Sequence, residues 1–435
     1  MSALETAPIE EFVAELVARA LRQGADAAQA RAVSSRYFEI DFNNRGVELL
    51  RSTENETTTL TLFCAGKRGA ANLNGRAANE IEAALLAARA AADAGLVDAA
   101  NDVAEAVSEP ASAHGPQAPD REAMAAGVDA FNATLAADHP LVRSRDCVYS
   151  FTDAETAFAN SRGVRQKERR GGYNFAGMIT ARDRGRTSSI NYSSAGSRAP
   201  FASLFDAGSM RRLVRDAPRL LEPAPVPEKF IGDVIIAPDC LATVVGALAS
   251  ALSGGQLFTG ATPYKNRKGE RIASPLFSLS NRPRDAGFAL GADFDAWGVP
   301  TQNLDIVRDG VLDAFLIDLF FARKLGVAQT AGAHNFSVKP GEKSLDDIIA
   351  STKRGILFSR YSGGAPNSNL DFSGIAKNSF YVEDGRVLHA LDETMVSGNF
   401  QELLQNIHAV SREYVNFGNS SYPFVAASGV TISSK

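Results

Sequence analysis

The chain has 435 residues, 45% of them hydrophobic and 22% charged, with a formal net charge of −5. That length suggests two or three domains with sizeable cores, and the charge leaves no basic field to draw in nucleic acid. Three cysteines far apart in sequence, Cys64, Cys147 and Cys240, make no CxxC pair and no disulfide framework, which fits a reducing cytoplasm.

The acidic opening "MSALETAPIEEF" lacks an apolar signal core, and no apolar run approaches the roughly 20 residues that span a bilayer. A cytoplasmic protein without a membrane partner is expected. Residues 8–23 are predicted helical, because Phe12, Val13, Leu16, Val17, Ala20 and Leu21 recur on one face and Gly24 stops the run. The β-branched stretches "RYFEIDF" and "TTTLTLFCAG" follow, with the turn "NNRG" between them. "AANEIEAALLAARAAADAG" is an Ala-rich helix with Ile81, Leu85 and Leu86 as its stripe. Residues 101–120 are rich in Pro, Ser and Ala and predict a loop, and a further helix is predicted over 121–137.

"FNNRGVELL" (42–50) resembles "FANSRGVRQK" (158–167), and the spacings Gly46 to Gly69 and Gly163 to Gly185 nearly match. Two readings stand: independent hairpins with common turn chemistry, or a duplicated α+β unit. "RLLEPAPVPEKF" (219–230) has three prolines in five residues and predicts an extended linker. It divides the chain into domains at 1–222 and 223–435. After it come a strand, "GDVIIAP", and an apolar helix over 239–255 that ends at Gly254 and Gly255. Nothing in that helix after Asp239 can ionise except Cys240. Hairpins are predicted at Asp309-Gly310 and Asp384-Gly385, since Asp-Gly favours the type I′ turn. A final helix over 400–412 and a β-like tail, "YPFVAASGVTIS", complete the pattern. The fold class expected is α+β in two domains. The first has helices beside an antiparallel sheet; the second is a mainly antiparallel β domain, a curved sheet or barrel, with helices.

Chemistry is sparse. His114, His139, His334, His389 and His408 are too far apart for a helical metal site, and strand alternation would turn His389 and Asp392 to opposite faces. There is no G-x-S-x-G elbow, and the cysteines read as core. "GQLFTGAT" (255–262) approaches a phosphate loop, but Ala261 stands where lysine is needed and the stretch follows a helix. "SRYSGGAPNSNLDFSG" (359–374) is a loop, or a place where backbone N–H groups meet a ligand. In the second case Gly363, Gly364, Ser373 and Gly374 would bind peptide, as an added strand beside Gly363, Gly364 and the segment from Ser373 to Phe380.

"DFSGIAKNSFYVEDGRVLHALDETMVSGNFQELLQNI" (371–407) resembles the C-terminal signature of the TldD/PmbA family, also labelled modulators of DNA gyrase. "PAPVPEKFIGDVIIAPD", "ANSRGV" and "FARKLG" resemble its linker, its N-terminal turn and a later segment. TldD-like members are metallopeptidases with H-E-x-x-x-H on the helix after the linker strand and a further cysteine ligand near the C-terminus. Laid on this chain, those positions fall at Gly246, Ala247 and Ala251, and no cysteine follows Cys240. The resemblance therefore implies a PmbA/TldE-like, non-catalytic subunit. It would have no metal ligands, catalytic residues or cofactor of its own. Its partner would be a TldD-like H-E-x-x-x-H subunit or a second copy of itself, acting on unfolded or peptide substrates. Two alternatives are an active peptidase with a different site and a stand-alone homodimeric module that binds peptide or protein.

Overall fold

The computed structural model describes residues 4–330, 332 and 334–434. The N-terminal half opens with α1 (Ile9–Arg22), β1 (Ala27–Asn43), β2 (Gly46–Cys64), β3 (Lys67–Leu73) and α2 (Ala78–Ala94). It continues with β4 (Ser112–His114), α3 (Arg121–Asp138), β5 (Val142–Ser144), β6 (Cys147–Asn160), β7 (Arg165–Asp183), β8 (Arg186–Thr187), β9 (Asn191–Ser197) and α4 (Met210–Asp216). One sheet runs β3-β2-β1-β6-β7-β4, with β5, β8 and β9 also paired to β7.

Two cores lie along this sheet. In the first, Phe12, Val13, Leu16 and Val17 of α1 meet Leu60 and Leu62, and Ala28, Ala30 and Ala32 of β1 are fully buried with them. Small residues here let the helices lie close to the strands. Gly69 marks the closest approach, because a Cβ there would collide with the backbone of α2 at Ala88 and Ala92. In the second core, aromatic rings pack together: Phe42, Phe131 and Phe175 sit with centroids 5.6–6.1 Å apart, Phe42 stacked on Phe175 and Phe131 edge-on to both, which adds to simple area burial.

β2 and β7 are each 19 residues long, and each ends in a turn with two positive φ values, Ala65-Gly66 and Arg184-Gly185. The turn glycine matching Gly185 is thus Gly66 rather than Gly69. β1 and β6 pair antiparallel from Gln29↔Asn160 to Phe42↔Cys147, so two long hairpins meet at the middle of the sheet. This arrangement favours the duplicated unit over independent hairpins.

The C-terminal half contains β10 (Phe230–Ile236), α5 (Pro238–Ala251), α6 (Gly254–Thr259), β11 (Leu279–Asn281), β12 (Leu304–Arg308), β13 (Val311–Leu312) and α7 (Leu319–Leu325). Then come β14 (Phe336–Val338), α8 (Leu345–Ser351), β15 (Arg354–Phe358), β16 (Arg360–Gly363), β17 (Asp371–Lys377), β18 (Phe380–Glu383) and β19 (Arg386–Ala390). β20 (Thr394–Asn399), α9 (Phe400–Gln405), β21 (Ile407–Asn416) and β22 (Ser421–Ser433) close the chain. The sheet runs β13-β12-β11-β14-β22-β10-β15-β18-β19 and is open, a curved sheet rather than a barrel. Most pairs are antiparallel; β10–β15 and β14–β22 are parallel. β22 is its axis, pairing with β10, β14, β20 and β21.

Both Asp-Gly turns form with positive φ at each residue. Two expectations fail. Gly254 and Gly255 do not end the apolar helix: it stops at Ala251, and Ser253 caps a second helix that begins with the glycines. The helix expected over 400–412 stops at Gln405. Ile407–Asn416 is strand because β22 offers it an edge, with Val410↔Val425 and Val415↔Tyr422 in register.

Candidate functional site

The apolar helix organises the site. α5 starts well: Pro238 occupies its first position and Asp239 places a negative charge in its first turn. Cys240, Leu241, Val244, Val245 and Leu248 are buried in the C-terminal core. The opposite stripe, Ala242, Thr243, Gly246, Ala247 and Ser250, faces outward. Thr243, Gly246, Ala247 and Ser250 of that stripe form one wall of a cleft of about 490 Å³; the loop over residues 365–370 forms the other. Gly246, Ala247 and Ala251 all line it, and a Cβ at Gly246 would meet nothing within 4 Å.

The chemistry of this lining is neutral. Its polar side chains are Thr243, Ser250, Gln256, Asn367 and Ser368, and none of the lining residues ionises. A tetrahedral zinc needs His, Cys or carboxylate donors converging at about 2.0–2.3 Å. These residues do not fit one. Among the described residues, no group of three or more His, Cys, Asp or Glu side chains is placed to hold a metal ion. His389 lies with Nε2 3.3 Å from the Pro225 carbonyl and its ring against Tyr381.

The thiols of Cys147 and Cys240 are equally unreactive. All three cysteines are free and buried. Burial pushes the Cys240 thiol up to about 12 and that of Cys147 to about 11, so neither supplies a thiolate at neutral pH. The phosphate-loop-like stretch is α6 and its left-handed stop at Gly260.

The four residues expected to bind peptide separate into two groups. Gly363 and Gly374 face each other across β16 and β17, and the Tyr361 ring lies over both, leaving no room for a Cβ at either. The Tyr361 hydroxyl lies 2.9 Å from the Ser373 carbonyl oxygen and 3.1 Å from that of Gly364. These glycines seat an aromatic ring. Ser373 and Gly374 belong to β17, which pairs with β16 on one side and β20 on the other. Phe380 opens β18, which lies between β15 and β19. An added strand beside Ser373 to Phe380 is therefore excluded, because both neighbours are already present. β16 is the strand in this group with a single partner among the described residues. Gly364 differs from its neighbours: a Cβ there meets nothing within 4 Å, and it leads into the cleft-forming loop. Sequence reading missed that this loop faces α5. The two are more than 100 residues apart, and no local pattern reports such a juxtaposition.

Residues 230–434 match the family model described as PmbA/TldA metallopeptidase C-terminal domain, and residues 114–222 match the PmbA/TldA metallopeptidase central domain. A Metalloprotease PmbA homolog from Haemophilus influenzae is 28% identical over 206 residues, 46% of this chain and 44% of that protein. Metalloprotease PmbA from Escherichia coli O157:H7 is 25% identical over 300 residues, 67% of this chain and 65% of the relative. The matches thus span between two-fifths and two-thirds of these relatives' lengths. The crystal structure of TldE from Thermococcus kodakarensis superposes with a TM-score of 0.84 at 19% identity, covering 97% of this chain and 99% of that one.

Proposed function

Because the chain belongs to the PmbA/TldD metallopeptidase family, we propose that it is the non-catalytic subunit of a peptidase pair, holding peptide beside a zinc-carrying TldD-like sibling. One observation carries this reading. Gly246, Ala247 and Ala251, on which the family's metal motif falls, all border one cleft of about 490 Å³, with Gly246 and Ala247 turned toward it and Ala251 largely buried at its base. The cleft's lining offers no group that would generate a nucleophile, which supports the non-catalytic reading. In its working pair the chain would bury about 2,000 Å² or more against its partner, as stable complexes do. Its own contribution is shape: a neutral wall on α5, an opposing loop, and hydroxyl and amide groups that can hydrogen-bond a peptide backbone.

The test is hydrolysis of a short unstructured peptide by this chain, by a TldD-like sibling, and by their mixture, each with and without a chelator. The chain alone should cleave nothing above background, and the mixture should exceed the sibling. Gly364→Val, which the open space around Gly364 tolerates, should lower cleavage by the mixture at least several-fold without changing the subunit's melting temperature. Chelator-resistant cleavage by the chain alone would overturn the non-catalytic reading. A sibling equally active by itself would leave only peptide or protein binding.

A further inference from the structure

A second cavity, about 310 Å³, lies between the two halves of the chain at the first turn of α5. Asn191 and Tyr192 of β9 form part of one wall; Ser359, Arg360 and Asn378 form part of the other. Three of these side chains carry a buried polar atom with no hydrogen-bond partner among the described residues: Asn191 Nδ2, Arg360 Nε and Asn378 Oδ1. Asn191 is 2% exposed and Asn378 7%. Native proteins leave few buried polar groups unsatisfied. Three on side chains that line one cavity are what a polar ligand would relieve once those side chains turn toward it.

The charges decide the kind of ligand. Asp239 also lines the cavity, but its carboxylate is fully engaged. Ser193 Oγ donates to Oδ1 at 3.0 Å, and Arg212 donates to Oδ2 at 3.0 Å together with Ser209 Oγ. Arg360 has no carboxylate partner among the described residues, and its guanidinium stacks 5.3 Å from the Tyr192 ring centroid. The wall therefore presents one uncompensated cation, with an amide donor at Asn191 and an amide acceptor at Asn378. Tyr192 and Leu290 leave exposed apolar surface at its edge.

We propose that this cavity recognises a carboxylate carried by a peptide. Arg360 would take the carboxylate through the fork geometry of its guanidinium. Asn191 Nδ2 would donate to it, and Asn378 Oδ1 would accept from an adjoining peptide N–H. The carboxylate preference stands on the cavity alone; that its bearer is a peptide rests on the function proposed above. The position agrees with that function. Ala242 lines this cavity and Thr243 lines the α5 cleft, so one helix stripe serves both. From Ala242 to Ala251 the helix rises about 13 Å, the length of roughly four extended residues. A peptide anchored at Arg360 would lay that many residues along the cleft.

Calorimetric titration of the chain alone tests this, using an acetylated Ala/Ser hexapeptide with a free C-terminal carboxylate. The same peptide as a C-terminal amide, and an amidated version with one internal glutamate, complete the set. The free acid should bind at least tenfold more tightly than the amide. Arg360→Gln should abolish that difference and Arg360→Lys should keep part of it. Asn191→Asp sets a like charge against the ligand, and should weaken the acid at least tenfold and the amide little. It also stands as an independent variant should Arg360→Gln not fold. Tight binding of the glutamate peptide would identify the source as an acidic side chain, within the same proposal. No peptide binding, equal binding of acid and amide, or acid binding unchanged by both Arg360→Gln and Asn191→Asp would each overturn it. Sibling-dependent hydrolysis does not enter this measurement, so the pocket and the pairing can fail separately.

Discussion

Burial pushes the Asp295 carboxyl up to about 6, although it accepts hydrogen bonds from the backbone N–H groups of Trp297 and Val299 and from Gln329 Nε2; the charge of Asp318 adds to the rise. Its folded-state pKa therefore lies above the unfolded value of about 4. The stability it contributes is complete below about pH 4 and is lost as pH rises through about 6. Asp295→Asn keeps an oxygen for the turn and removes the charge. It should be more stable than the parent at pH 7.5, by on the order of 1–3 kcal/mol, and equal to it near pH 4. Urea unfolding at the two pH values checks this, and an equal gain at both would assign the effect to something other than charge. Asp295 is invisible in sequence because nothing local reports its desolvation. Gly363 and Gly374 are legible as unusual, but their reason, the Tyr361 ring across two strands, needs the register of β16 and β17. The buried cysteines were readable from their apolar neighbours alone.

At the scale of elements, α5 carries the argument. Its start and its buried stripe follow from proline, aspartate and the 3.6-residue period. Its end does not, because a glycine pair stops one helix or begins another according to what caps it, and Ser253 decides. The strand at Ile407–Asn416 was hidden for a similar reason, since its β conformation comes from β22 rather than from its own residues. The alanines at the start of β1 have low β propensity and were equally silent, yet their small size brings helices onto the sheet. Within α5, Gly246 is an interior helix glycine with open space around it. Gly246→Ala should stabilise the chain by about 0.5–1 kcal/mol, read as a higher melting temperature. If the peptide passes over this position, cleavage by the mixed pair should fall while stability rises. An unchanged or lower melting temperature would mean that the glycine relieves helix strain. Ala251, in contrast, is only 7% exposed. A histidine there would overpack the core at a cost of about 1–3 kcal/mol, so restoring the three motif residues should not yield a zinc site.

Over the whole molecule, the two halves meet along a seam that no sequence pattern announces, because its partners lie more than 100 residues apart. Asp293, from the C-terminal half, accepts from Ser112 Oγ and from Arg170 at 2.7 Å, and lies 2.7 Å from His114 Nε2. Trp297 packs beside Phe63 and Val103, and Phe294 beside Phe158 and Val164. Burial by itself would raise the Asp293 carboxyl, but the hydrogen bonds from Ser112 and His114 and the charge of Arg170 hold it below the usual carboxylate range. A depressed carboxylate stabilises the fold above its unfolded pKa of about 4 and loses that contribution as pH falls through its lower folded value. The seam should therefore loosen in acid, below about pH 4. Asp293→Ala should loosen it already at neutral pH, costing about 2–3 kcal/mol by leaving His114 and Arg170 short of a partner. The chain has a single tryptophan, Trp297, and it sits at this seam. Its emission should shift to the red in Asp293→Ala at a lower urea concentration than that at which far-UV circular dichroism is lost. In the parent at pH 7 the two curves should coincide, and on acidification the emission should move first. Coincident curves in the variant would mean that the other contacts across the seam, such as Lys324 with Asp98 and Asp239 with Ser193 and Arg212, hold the halves together without Asp293.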